Sequence, residues 1–184
     1  MNETLELIMK RYTCRAFTGT PVLEGSLRTI ADAALAAPTA MNRQAFHITV
    51  VNDKALMDKL DGECMEVLRQ EDAEGAYRRF LDRGGKMFYN APAMFIISAA
   101  PDTQTDVGIV AQNIVLAAES LGLGTCHCGM ARLIFQGGQK EAYEKHFRFP
   151  EGYEFGLAVL VGAIGEARMP HALDRKKVSV LSAE

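Results

Sequence analysis

Residues 103–121 constrain the fold of this chain more than any other stretch. Val107, Val110, Ala111, Ile114, Val115, Ala117, Ala118 and Leu121 recur at helical spacing and cover most of one helix's circumference. A helix apolar nearly all round belongs at the centre of a fold or against a second subunit. It does not read as a membrane span, because Gln112, Asn113 and Glu119 interrupt the apolar tract. Gly122-Leu123-Gly124 ends it.

The elements around that helix follow from periodicity. Leu5, Ile8, Met9 and Tyr12 mark a short amphipathic helix over 2–11, and Leu27, Ile30, Ala31, Ala34 and Leu35 a second over 22–36, stopped by Pro38. Helices are also expected over 53–70 and roughly 74–89, and partly over 132–149. Strands are expected at 46–51, 93–98, 125–130 and 155–164, where β-branched and apolar residues run together. Strands and helices that mix without regular β-α alternation indicate an α+β fold, here one domain over 1–184. The acidic stretch 70–77 reads as a surface excursion or a lid.

Composition narrows the function. A net charge of −3 and a pI near 5.8 leave no electrostatic footprint for nucleic acid or an anionic membrane. The opening Met1-Asn2-Glu3-Thr4 lacks the basic-then-apolar pattern of a leader, so a cytoplasmic location with reduced cysteines is expected. No G-x-G-x-x-G follows a strand and there is no P-loop. Cys126-His127-Cys128 suggests a metal, but on a strand His127 points away from the two thiols, and no second ligand group is spaced to help. His47 reads as a structural strand residue. With no evident catalytic triad and no metal cluster, a bound cofactor is expected to carry the chemistry.

Two segments carry binding chemistry. In Arg11-Tyr12-Thr13-Cys14-Arg15-Ala16-Phe17, an extended backbone puts Arg11, Thr13 and Arg15 on one face and Tyr12, Cys14 and Ala16 on the other. Two guanidinium forks and a hydroxyl suit a doubly charged phosphate; the plain alternative is a solvated arginine pair. In Ala37-Pro38-Thr39-Ala40-Met41-Asn42-Arg43-Gln44, the carboxamides offer both donors and acceptors to a flat heterocycle edge.

Taken in order, these blocks resemble the nitroreductase family of homodimeric FMN-dependent oxidoreductases. Arg-x-Thr-x-Arg-x-Phe resembles its R-x-S-x-R-x-F opening, and Ala37 to Gln44 its A-P-S-x-x-N-x-Q-P loop. Asn90-Ala91-Pro92 and the block from Asp106 to Gly129 resemble two more. The resemblance implies a mostly antiparallel sheet flanked by helices in an intertwined dimer, with FMN at the subunit interface and NADH or NADPH as donor. Arg11, Tyr12, Thr13 and Arg15 would hold the phosphate and ribityl chain, and Pro38, Thr39, Ala40, Asn42 and Gln44 would reach the same flavin from the partner. Lys86 would stand at the pyrimidine edge, Gly129 and Met130 near flavin N5, and Arg168 or Arg175 would add a phosphate contact. The acceptor would be a small electron-poor molecule of nitroaromatic, quinone or enone type, reduced by ping-pong hydride transfer with no side chain acting as a catalytic acid. A flavin storage or delivery protein of the same fold is the alternative. Thr13 for serine, Ala40 for a second serine, and Ala45 for the proline after Gln44 depart from the pattern.

Overall fold

The computed structural model describes residues 2–71 and 75–181. Helix α1, Glu3–Lys10, is capped by the Asn2 side chain, which accepts the Leu5 N–H at 3.0 Å. None of its residues is buried, and Leu5, Ile8 and Met9 stand open to solvent. An extended arm follows. Cys14 N–H donates to the Thr125 carbonyl at 2.8 Å, Thr13 bridges Thr125 in parallel, and Phe17 bridges Ile164.

Helix α2 (Glu24–Leu35) precedes strand β1 (Phe46–Val51), followed by α3 (Lys54–Glu71), α4 (Ala76–Leu81) and β2 (Ala93–Ala99). Then come α5 (Gln104–Ser120), β3 (Gly124–His127), α6 (Lys140–His146) and β4 (Glu154–Gly162). The four strands pair in the order β1-β2-β4-β3, every neighbour antiparallel. β2 is buried along its whole length because each of its faces meets a separate core. Met94 and Ile96 join Met57, Leu60 and Cys64 of α3, whereas Phe95 and Ile97 join α2 and α5 through Ile30, Val110 and Ile114. Gly162 is required by packing: a Cβ there would lie 2.5 Å from the Pro92 ring.

Several expectations shift. Helix α5 buries Val107, Val110, Ala111, Ile114, Val115 and Ala118, but Ala117 is half-buried and Leu121 is exposed. It lies on one face of the sheet beside α2, and Gln104, Thr105, Gly108 and Ser120 of its outer side stay exposed among the described residues. The helix expected over 74–89 ends at Leu81, because Gly84 and Gly85 take φ of +98° and +70° and reverse the chain. The third strand stops at His127, and residues 129–135 form 3₁₀ turns. Within 132–149, α-helix is confined to α6. Part of the acidic stretch 70–77, residues 72–74, lies outside the described residues.

Candidate functional site

At the α1–β3 corner the arm presents its arginines. Alternation holds only in part: Cys14 is fully buried and Arg15 exposed, but Arg11, Tyr12, Thr13 and Ala16 are all half-buried, and Phe17, on the same parity as the arginines, is buried. Arg15 lines a cavity of about 570 Å³ with Ala16, Asp82, Arg83, Tyr89, Glu166 and Arg168. Arg11 faces another way. It lies close enough to His127 to depress that imidazole's pKa, after the larger effect of partial desolvation.

The tail completes this corner. The buried Tyr12 hydroxyl sits beside the Arg168 backbone without a well-formed hydrogen bond. Arg168 thus reaches the arm, its guanidinium 3.6 Å from Glu166. Arg175 lies farther along, in an exposed turn Arg175–Lys177, and does not line the cavity.

The Lys86–Asn90 turn joins the same corner. Phe17 N–H donates to the Tyr89 carbonyl at 3.2 Å, and Asn90 Nδ2 donates to the Phe17 carbonyl at 3.3 Å. Tyr89 and Asn90 both hold left-handed backbone, φ +52° and +65°, a conformation costing non-glycine residues about 1 kcal/mol or more. The Lys86 ammonium donates to Asp58 Oδ1 at 3.2 Å and to the Asn90 side-chain Oδ1 at 3.4 Å. Lys54 also grips Asp58, and these two cations hold its carboxyl below the usual range. Gly129 is exposed and Met130 half-exposed where the chain leaves β3. No atom lies within 4 Å of a Cβ built on Gly129, so the chain's own packing does not demand a glycine there.

The thiols are shielded. Cys126 and Cys128 are buried and His127 is exposed, as strand alternation requires. Burial raises the two thiols to about 11 and about 12, which leaves them protonated and unreactive at neutral pH.

The carboxamide loop sits elsewhere. Ala40 N–H donates to both Asp106 carboxylate oxygens, at 3.1 and 3.3 Å, at the start of α5. Gln44 N–H donates to Thr39 Oγ1 at 3.0 Å, and Gln44 Nε2 to Asn42 Oδ1 at 3.0 Å. Met41, Asn42 and Gln44 all have positive φ. Pro38, Ala40, Asn42 and Gln44 are exposed and Thr39 is half-buried. At the far end of α5, Lys10 pairs with Glu119 at 4.0 Å beside the arginine arm.

Strand register gives the same answer. Phe46 pairs Ala99 and Ala99 pairs Glu154 at one end of the sheet, whereas Thr13 bridges Thr125 and Thr125 pairs Val161 at the other. The two segments occupy opposite corners, about 19 Å apart across the sheet and about 23 Å along it at standard strand spacings. The residues missed from sequence are Arg83, Tyr89 and Asp106. Nothing local marks them; their roles arise from long-range neighbours.

An antiparallel sheet with α5 on one face and α3 on the other thus carries a guanidinium-lined cavity at one corner and a strained carboxamide loop at the other. The chain belongs to the Nitroreductase family, matched over residues 8–163. It is 38% identical to a nitroreductase with bound FMN from Desulfitobacterium hafniense DCB-2, with a TM-score of 0.95 over 99% of this chain and 100% of that one. A nitroreductase with bound FMN from Bacteroides fragilis NCTC 9343 shares the fold, at 22% identity and a TM-score of 0.89 over 99% of this chain and 100% of that one. A curated relative, the NADPH-flavin oxidoreductase of Vibrio harveyi, is 30% identical over 152 residues, 72% of this chain and 55% of that protein. The chain therefore spans about half the length of that relative.

Proposed function

We propose that this chain is an FMN-dependent NAD(P)H oxidoreductase, working as a homodimer with FMN at the subunit interface and reducing small electron-poor acceptors by ping-pong hydride transfer. One observation carries the reading: the cationic corner and the carboxamide loop lie at opposite ends of α5, itself about 25 Å long at 1.5 Å per residue. A single flavin touching both needs the second from another copy of the chain. The accessible surface supports this. At 11033 Å² it exceeds the roughly 8,700 Å² typical of a compact monomer of 20.1 kDa. Leu5, Ile8 and Met9 of α1 and Met169, Val178, Val180 and Leu181 of the tail are exposed apolar surface that a partner would cover.

The donor set fits the cofactor. FMN combines a phosphate dianion with a planar ring whose pyrimidine edge alternates donors and acceptors, matched by guanidinium forks and by carboxamides. Arg11, Tyr12, Thr13, Arg15 and Arg168 of one copy would hold the phosphate end; Pro38, Thr39, Ala40, Asn42 and Gln44 of the other would meet the ring. Lys86, fixed by Asp58 and Asn90, would place a cation at the pyrimidine edge, where negative charge is best stabilised. Gly129 and Met130 would offer backbone N–H groups from a turn that leaves room for close approach. Bound there, FMN supplies the hydride chemistry between a nicotinamide and an acceptor such as a nitroaromatic, quinone or enone. The chain's residues bind, orient and supply fixed charge.

The test is anaerobic titration of the purified protein with NADH and with NADPH, followed by addition of a quinone or nitroaromatic. Bleaching of the flavin by a nicotinamide and recolouring by the acceptor are expected. A protein that carries FMN but is bleached by neither nicotinamide overturns the reading.

A further inference from the structure

The cavity holds one cation that the flavin site does not account for. Arg83 lines it together with Arg15, on the segment between α4 and the Gly84-Gly85 reversal. Its neighbours are already matched: Asp82 takes Arg78 at 3.2 Å, and Glu166 takes Arg168 at 3.6 Å. Arg15 and Arg83 have no carboxylate partner among the described residues. Tyr89 lines the same cavity, and both guanidiniums act on its phenol against the larger upward effect of its burial. The positive charge of Arg15 and Arg83 is therefore unmatched by a carboxylate among the described residues.

A cavity of about 570 Å³ is several times what one phosphate fills. If Arg15 serves the resident flavin, Arg83 is left for an anionic ligand that comes and goes. We propose that Arg83 is a docking residue for the phosphate groups of the nicotinamide donor, and hence a determinant of donor affinity. This rests on the oxidoreductase reading above. The donor offers phosphate from two sources, the pyrophosphate common to both nicotinamides and the 2′-phosphate of NADPH alone. Either would be gripped by the same forked, charge-assisted hydrogen bonds.

The experiment compares wild type, Arg83→Ala and Arg83→Lys as FMN-loaded proteins. Wild type is titrated first; failure of both nicotinamides to bleach it would sink the oxidoreductase reading and this proposal with it, whereas the Arg83 variants test this proposal alone. Arg83→Ala is expected to raise KM for NADPH about tenfold or more, the loss typical of one charged hydrogen bond, with kcat and FMN affinity unchanged. A rise for NADPH alone assigns the 2′-phosphate, and an equal rise for NADH assigns the pyrophosphate. Calorimetry with adenosine 2′,5′-bisphosphate and with ADP reads the same contact without turnover. One of the two should weaken by a matching factor, and Arg83→Lys should recover part of it. Unchanged KM for both nicotinamides together with unchanged binding of both probes overturns the proposal. Loss of FMN affinity in Arg83→Ala overturns it too, by assigning the cation to the flavin.

Discussion

Cys14 and Arg15 are adjacent in the chain and opposite in environment. The thiol is fully buried against Gly124, whereas the guanidinium stands exposed at the cavity wall. Extended geometry explains the difference, and it separates binding from stability at this point in the chain. Arg15→Ala removes a charged donor without touching the core. It is therefore expected to lose FMN on dialysis, with affinity weakened by about tenfold or more, while the dimer stays folded. Flavin absorbance after dialysis and the elution volume on gel filtration check both halves; a fully yellow Arg15→Ala protein contradicts the assignment. At this scale the opposite settings of Cys14 and Arg15 were legible in sequence. The separation of Arg11 toward His127 from Arg15 toward Tyr89 was not, because it depends on which strand each side chain faces.

Helix α3 shows what an element does for the site. Its inner face buries Met57, Leu60, Cys64 and Met65, and within that apolar row sits Asp61, which accepts the Phe88 N–H at 2.5 Å. Asp58, one turn earlier, holds Lys86, so two carboxylates of one helix fix the 86–90 turn. Burial raises the Asp61 pKa above its ordinary 3.8, outweighing the Phe88 hydrogen bond and the pull of Lys86. A carboxyl raised on folding favours the protonated native state. Its contribution to stability is thus greatest below pH 3.8 and is lost as pH rises through the raised native value. Asp61→Asn keeps a carbonyl for Phe88 and removes the ionisation. Relative to wild type, the variant should gain stability between pH 4 and pH 7, read from urea midpoints at the two pH values. A variant that loses ground over that interval contradicts the sign. The strands and α5 were legible because apolar runs of strand and helix length are unambiguous. Residues 74–89 and 132–149 were not, since paired glycines and 3₁₀ turns cut those helices short.

For the whole molecule, the opposite-corner placement makes a test that no single-chain site can pass. In a heterodimer of Arg15→Ala with a chain altered at Asn42 and Gln44, both defects fall in one composite site and the other is intact. Mixed dimers are expected to regain about half the wild-type flavin content per chain, although each homodimer alone is depleted. Mixed dimers as depleted as the parents would place the whole site in one chain. Flavin absorbance on isolated, differentially tagged heterodimers decides it.

Taken alone, the sequence determined the α+β class, the apolar strands and central helix, and the residue types able to meet a phosphate and a heterocycle. Those properties are written in local spacing and side-chain chemistry. Only the tertiary structure decided that Arg168 and not Arg175 lines the cavity, that Arg83 stands there without a carboxylate partner among the described residues, and that Asp106 shapes the loop at Ala40. It also decided that the arginine arm and the carboxamide loop lie at opposite ends of α5. Each depends on contacts between residues far apart in the chain. Such contacts are set by strand order and register, which local spacing does not encode.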